Sequence, residues 1–445
     1  MKPPFASRAA AVVIIAIVIL FPIALIKGKV SERQARADSV VQQFAAETSR
    51  AQTIAGPFLV LTCEEYVRDK RAAPPVKEPE ALTSTVSWGC PTAYFSPKTF
   101  KAAASMPVET VHRGIYPIRL YRADVNLSGE FEWPPAPPQD GTAPRRWKHA
   151  YIVTAVTDAR GIKSLVSSLS SGKPLAVAKD IASFAIREDL GDPSAQKPGS
   201  PLPFKYRMNV VGTSSLRIAP VGDENEIHVA SNWPHPSFSE AWSPDERRVS
   251  RDGFEATWKM TSLATGGRIS WQELSASGRI GTAAGAGVTL FDPVNVYSLS
   301  YRATEYAFLF VLFTFSALGL TEAVVGIRLH PIQYALTGSA LAVFFLLLIA
   351  LSEHVSFTQA YATAAGACIA LLTYYLRRPL ETSARTAIFF GLFVTLYGCL
   401  YGLLKSEDNA LLMGSLMVFA LLALTMIATR KMDWGATAAR MAPQG

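Results

Sequence analysis

Apolar residues along this chain follow two patterns, long unbroken runs and short alternations. Between Ala9 and Ile26 the run AAAVVIIAIVILFPIALI carries no charge. A membrane span needs about 20 apolar residues, so the run predicts a transmembrane helix. It is too long for an ordinary signal-peptide core, and no small-residue cleavage site precedes the charged KGKVSERQAR, so it reads as an uncleaved anchor. SERQARADSVVQQFAAETSR follows without a helix breaker, which predicts several further helical turns. Five more apolar blocks close the chain, at Tyr306–Ile327, Ile332–Leu351, Phe357–Leu376, Ala387–Leu404 and Ala410–Thr429, separated by RLHP, SEHVS, RRPLETSAR and KSEDN. Six spans are therefore expected, one at the front and five at the back.

Between them the period changes. In YRADVNLSGEFEW, Tyr121, Ala123, Val125, Leu127, Gly129, Phe131 and Trp133 alternate with polar residues, the mark of a strand with one buried face. The prolines of WPPAPPQDGTAPRR end it. HAYIVTAVTDARG predicts another strand running into a turn, and FEATWKM a third. SLRIAPVGDENEIHVAS predicts a hairpin across GDEN. Gly56-Pro57 in AQTIAGPFLVL predicts a break before a short buried strand FLVL, and a minor helix is expected around Gly161–Ser171. The expected fold is an α+β membrane protein: six transmembrane helices with a large, β-rich, sandwich-like periplasmic domain inserted after the first helix. The expected division is 1–29 for the cytoplasmic tip and anchor, 30–302 for the periplasmic domain with its juxtamembrane helix, 303–430 for a five-helix bundle, and 431–445 for a cytoplasmic tail.

Composition supports the membrane assignment, because 49% of the 445 residues are hydrophobic and only 18% are charged. Arginines and lysines set the orientation. Arg328, Arg377, Arg378, Arg385, Arg430 and Lys431 fall on one side of the five C-terminal spans, and only Lys405, beside Glu407 and Asp408, on the other. The Arg-rich side, with both termini, is expected to be cytoplasmic. The first span by itself is ambiguous, since Lys27, Lys29, Arg33 and Arg36 follow it. Much of the formal charge of +8 lies in membrane-flanking loops, so it is not a nucleic-acid footprint and no nucleic-acid partner is expected. Of the four cysteines, Cys63 and Cys90 lie in the external block, where a disulfide could form, or they could be a reduced core pair.

Candidate chemistry is sparse. LSEHVSF places Glu353 and His354 side by side where a helix from Pro331 to Leu351 leaves the bilayer, either an interfacial turn or a working site. Glu407 and Asp408 would share that side and could complete such a site. On the opposite side RLHPIQY offers Arg328 and His330 ahead of a proline-started helix. SNWPHPSF carries Trp233 and His235 between prolines, a stiff loop that could present a binding edge and can hardly be a central strand. His228 alternates with Ile227 and Val229 and is expected on a wet face. No metal-binding, nucleotide or hydrolase motif is present, so no catalytic residue and no cofactor is expected. Glu322 is the one acid deep in an apolar run, and no polar midplane or pair of broken helices announces a transporter.

An ordered set of segments resembles the CreD family of bacterial inner-membrane proteins: AQTIAGPFLVL, IYPIRLYRADVNLSGEF, DARGI, SNWPHPSF, PDERRVSRDGFEATWKM, Phe291-Asp292-Pro293-Val294, RLHPIQY, LSEH, LYG, SEDNALLMGS and TRKMDW. The resemblance implies a Gram-negative inner-membrane protein of cell-envelope integrity, expressed under two-component control and linked to colicin tolerance and β-lactam stress. It implies no enzymatic activity, cofactor or catalytic residue. The Cys63–Cys90 pairing belongs to this chain, not to the resemblance. The expectation is a non-enzymatic role, with the lipid bilayer and an unidentified periplasmic or membrane protein or envelope component as partners. Two alternatives stay open: a membrane enzyme acting on lipid or wall precursors at the periplasmic face, and a small-molecule transporter or channel.

Overall fold

A computed structural model describes residues 5–65, 92–139, 145–169, 176–177, 185–238, 241–264, 285–292, 296–325, 329–406 and 410–430. They fall into two compact units, Met1–Ser39 with Val294–Gly445, and Val40–Pro293. The fold is α+β, with a β-rich region after an N-terminal apolar helix.

The helical unit begins with α1 (Phe5–Glu47), which passes through Pro22 and continues through the polar SERQAR stretch as its composition predicts. Only 11% of its most apolar window is buried, so residues such as Ile14, Ile17 and Phe21 face outward. Exposed to water, that stripe would cost about 25 cal/mol per Å², so lipid is its natural surrounding. Next come α2 (Val296–Glu305) and α3 (Ala307–Val325), bent by 43° at their junction. α4 (Pro331–Ser352), α5 (Phe357–Leu380), α6 (Ser383–Lys405) and α7 (Ala410–Thr429) complete the unit. Every predicted apolar block is thus helical where it is described. Among the described residues three helices, α1, α4 and α6, are long and apolar enough to cross a bilayer, and the bent α2–α3 pair makes a fourth. α5 falls short because Thr358, Gln359, Thr363, Thr373 and its tyrosines dilute its apolarity, and α7 is apolar along Leu412–Ile427.

Aromatic rings fill the interior of this unit. Tyr397 on α6 meets Phe310 of α3 edge-on at 5.0 Å and Phe344 of α4 at 4.8 Å between ring centroids. Gly338 lets α4 come close to α1, since a Cβ there would lie 2.7 Å from the Ile19 side chain.

In the β-rich unit two sheets enclose one apolar core. The first sheet contains β1 (Gln52–Glu65), β2 (Ala93–Phe95), β6 (Arg145–Val156), β8 (Ala176–Val177), β9 (Ala185–Gly191), β11 (Ser215–Ile218), β13 (Pro236–Phe238) and β16 (Ala286–Leu290). Its order is β13-β16-β11-β1-β6-β9-β8, with β2 also on β1. In the second lie β3 (Thr99–Ser105), β4 (Val108–Arg113), β5 (Tyr116–Glu132), β7 (Ile162–Ser167), β10 (Pro201–Thr213), β12 (Glu224–Ser231), β14 (Glu246–Ser250) and β15 (Gly253–Thr261). That order is β14-β15-β12-β3-β5-β10-β7, with β4 on β5. The alternation read from the sequence appears in β5 and β15, whose apolar positions are buried.

Three local expectations are corrected. Gly56-Pro57 does not break the chain. It forms a bulge inside β1, where the register to β6 shifts between Ala55 and Phe58 and Gly56 takes φ of 115°, which glycine alone adopts without strain. SLRI and ENEIHVAS are not a hairpin, because β11 pairs parallel with β1 in the first sheet while β12 pairs parallel with β3 in the second. Residues Gly161–Ser171 form no helix where they are described, since a 3-10 turn at Ala159–Gly161 leads directly into β7.

Candidate functional site

The acid and imidazole of LSEHVSF part company. Glu353 caps the end of α4 and turns inward, its side chain 11% exposed and 3.6 Å from the Arg33 guanidinium of α1, whereas His354 is exposed. Arg328, Glu407 and Asp408 lie outside the described residues. The Arg33 contact also sets a level: the turn after α4 meets the part of α1 beyond its apolar run. Lys27 does likewise, pairing with Glu305 at the end of α2 at 3.0 Å and lying over the Tyr301 ring. Glu353→Gln with His354→Ala is expected to insert and accumulate normally and to lose less than about 1 kcal/mol, the worth of a part-exposed ion pair. Detergent-solubilised melting curves of parent and variant would check this.

His330 has a structural part. Its ring Nδ1 accepts from Ile332 N–H at 3.3 Å, its own N–H donates to Gln333 at 2.8 Å, and Pro331 occupies the first turn, so RLHPIQY is a helix start. Glu322 on α3 accepts from the Tyr334 hydroxyl at 3.1 Å.

Sequence reasoning missed a polar knot in the β-rich unit. Asp158, buried, accepts from Arg50 N–H at 3.3 Å, Arg160 N–H at 3.2 Å and the Arg160 guanidinium at 2.6 and 2.9 Å. The same guanidinium donates to the Ala46 carbonyl in the last turn of α1. Gln52 completes the knot, donating to Ser49 at 2.7 Å and the Asp158 carbonyl at 2.9 Å and accepting from Asp158 N–H at 3.2 Å. The Arg160 guanidinium holds the Asp158 carboxyl below the usual carboxylate range against the opposing cost of burial. Gly161 must be glycine here, since a Cβ would lie 2.4 Å from the Val211 carbonyl and 2.5 Å from Gln52. DARGI and AQTIAGPF are thus halves of one anchor that ties the end of α1 to both sheets.

A second cluster gathers SNWPHPSF, IYPIRLY and Phe291-Asp292 at one end of the sheets. The Arg119 guanidinium lies 4.8 Å from the Trp233 ring and pairs with Asp292 at 2.8 Å. Trp233 Nε1–H is shared between the carbonyls of His235 at 3.0 Å and Phe291 at 3.1 Å, which pins the loop. His235 is exposed and edge-on to Trp233. Beside it opens a cleft of about 370 Å³ lined by Pro236, Phe238, Arg247, Val249 and Phe291 with His235. A neighbouring cleft of about 510 Å³ is lined by Asn232, Arg248, Ser250, Asp252 and Glu255, among others. Pro236–Phe238 forms an edge strand, the place where proline is tolerated in a sheet. His228 is half-buried beside Thr257 at 3.1 Å.

Glu188 on β9 is buried and accepts from Ser167 at 2.8 Å and from the Tyr206 hydroxyl, bridging the two sheets, while burial first and Glu188 second push the Tyr206 phenol above its ordinary range. Cys63 is disulfide-bonded, its expected partner Cys90 lies outside the described residues, and Cys368 and Cys399 are free. Among the described residues no group of three or more His, Cys, Asp or Glu is placed to hold a metal ion.

Lipid-facing apolar helices joined to a β-rich unit define an integral membrane protein. The chain belongs to the family described as "Inner membrane protein CreD", whose model matches residues 4–435. It is 29% identical over 431 residues to "Inner membrane protein CreD" of Escherichia coli (strain K12), a match covering 94% of this chain and 91% of that protein.

Proposed function

We propose that this inner-membrane protein supports cell-envelope integrity under stress without catalysing a reaction, and that its β-rich unit lies on the periplasmic side and engages a protein or envelope component there. The observation that carries this reading is the convergence of Arg119, Trp233, His235 and Asp292, drawn from three distant segments, beside an open cleft. A rigid rim of Trp and Arg next to a cavity is the usual composition of a recognition surface. The non-catalytic side of the reading rests on Glu353, which faces Arg33, and His354, which faces away. Orientation with both termini cytoplasmic is supported by Arg377, Arg378 and Arg385 at the adjoining ends of α5 and α6.

The test is complementation of a deletion strain challenged with a β-lactam, detergent and colicin. The parent chain is expected to restore resistance. Arg119→Ala with Trp233→Ala is expected to fail; because the same change removes the Asp292 ion pair and the two Nε1–H bonds that pin the loop, membrane abundance and melting are read beside rescue, and the failure counts where abundance matches the parent. A deletion strain as resistant as its parent would end the envelope reading. Full rescue by the double variant would move the recognition surface elsewhere.

A further inference from the structure

The end of the sandwich that carries Trp233 closes with one edge strand from each sheet, and the two differ. β13 contains Pro236 and follows Pro234, and proline has no N–H to offer a further strand. β14 contains no proline, is the terminal strand of its sheet and pairs on one side with β15, and all five of its residues are exposed. Counting back from the turn-closing pair Ser250–Gly253, the alternation of an antiparallel ladder turns the N–H and C=O of Val249, and those of Arg247, away from β15. Among the described residues, one edge of the first sheet is blocked there, and one edge of the second carries no further strand.

The pleat of β14 then sorts its side chains. Arg247 and Val249 point into the 370 Å³ cleft with Phe238, Phe291 and His235, where no carboxylate among the described residues lines the wall. Arg248 and Ser250 line the 510 Å³ cleft on the other face, with Asn232, Asp252 and Glu255. Neighbouring acids are engaged elsewhere: Glu246 pairs with the Lys259 ammonium at 2.9 Å, and Asp245 accepts from Lys259 N–H at 2.7 Å. A strand laid along β14 would send alternate side chains into a cationic, aromatic cleft and a mixed polar one.

We infer that β14 takes up an extended segment of a partner protein by strand addition. The segment places an acidic residue beside Arg247 and an apolar residue two positions away against Phe238 and Phe291, and turns hydrogen-bonding residues to the opposite cleft. This rests on the reading of the Trp233 end as a partner-binding surface and names the partner's chemistry. Main-chain hydrogen bonds to Val249 and Arg247 supply affinity, and the two clefts supply selection.

The experiment uses the full chain in phosphatidylcholine nanodiscs and a fluorescein-labelled peptide, Ser-Val-Thr-Asp-Ser-Val-Thr-Asp-Ser, read by anisotropy. Saturable binding is expected, weakened about tenfold or more when lysine replaces both aspartates, as loss of a charge-assisted contact dictates. Arg247→Glu is expected to reverse that preference. Val249→Pro, which removes an outward N–H and leaves the ladder to β15 intact, is expected to abolish binding of both peptides with an unchanged circular dichroism spectrum. Absence of saturable binding, or equal binding across peptides and variants, overturns the inference. A dimer seen by mass photometry that Val249→Pro dissociates also overturns it, by making a second copy of this chain the occupant. If the peptide fails while rescue still depends on Arg119 and Trp233, strand addition falls and the recognition surface stands.

Discussion

Asp158→Ala is expected to destabilise the β-rich unit by about 3 kcal/mol, the scale on which a buried carboxylate holding several charge-assisted bonds matters. Four donor contacts lose their acceptor at once: Arg50 N–H, Arg160 N–H and the two guanidinium bonds. Arg160 would then be left without the partner that orients it onto the Ala46 carbonyl, so the last turn of α1 would loosen as well. Thermal melting followed by tryptophan fluorescence measures the loss, and equal midpoints for parent and variant would remove the knot from the account. The pH dependence has a definite sign. Because the folded carboxyl titrates below its unfolded value of about 3.9, its contribution is complete above that pH and disappears as pH falls through the folded value. The gap between parent and Asp158→Ala should therefore be constant from neutrality down to about pH 5 and shrink in stronger acid.

Tyr397→Ala is expected to cost the helical unit about 3–5 kcal/mol, the range for deleting a large buried ring. The ring is held edge-on by Phe310 and Phe344, and its hydroxyl donates to the Cys368 sulfur at 3.0 Å. Lipid cannot refill a space enclosed by α3, α4 and α6, so the lost contacts have no replacement. Tyr397→Phe keeps the ring and removes one weak hydrogen bond, and should cost no more than about 1 kcal/mol. Membrane abundance and the onset of thermal aggregation in detergent separate the two. An alanine variant as abundant and as heat-resistant as the parent would show that the rings do not hold the helices together.

The candidate residues divide by how local their signal is. The helix start after His330 was readable because Pro331 follows it, whereas the capping bond to Gln333 came only with the structure. Trp233 and His235 stood out because prolines flank them, yet nothing near them in the chain announced Arg119 or Asp292. Asp158 and Gln52 drew no attention, being an ordinary acid in a turn and an ordinary amide at a strand start, 106 positions apart. Glu353 and His354 drew too much, since adjacency in sequence suggested cooperation that a helix end undoes by turning one side chain in and the other out.

What the sequence by itself determined was everything with a short period: the apolar runs that become helices, the alternation that buries one face of β5 and β15, and the bases that crowd the short loops. Those signals are carried by residues within a few positions of one another, where the geometry of one helix or one strand dictates the spacing. Tertiary structure alone decided that SLRI and ENEIHVAS part to different sheets, that Gly56 bulges a strand instead of ending it, and that Arg33 meets Glu353. It also decided that, among the described residues, one edge strand is closed by prolines while the other carries no further strand. Each of these depends on pairing between segments far apart in the chain, and no local period encodes which partner a strand edge or a charge will find.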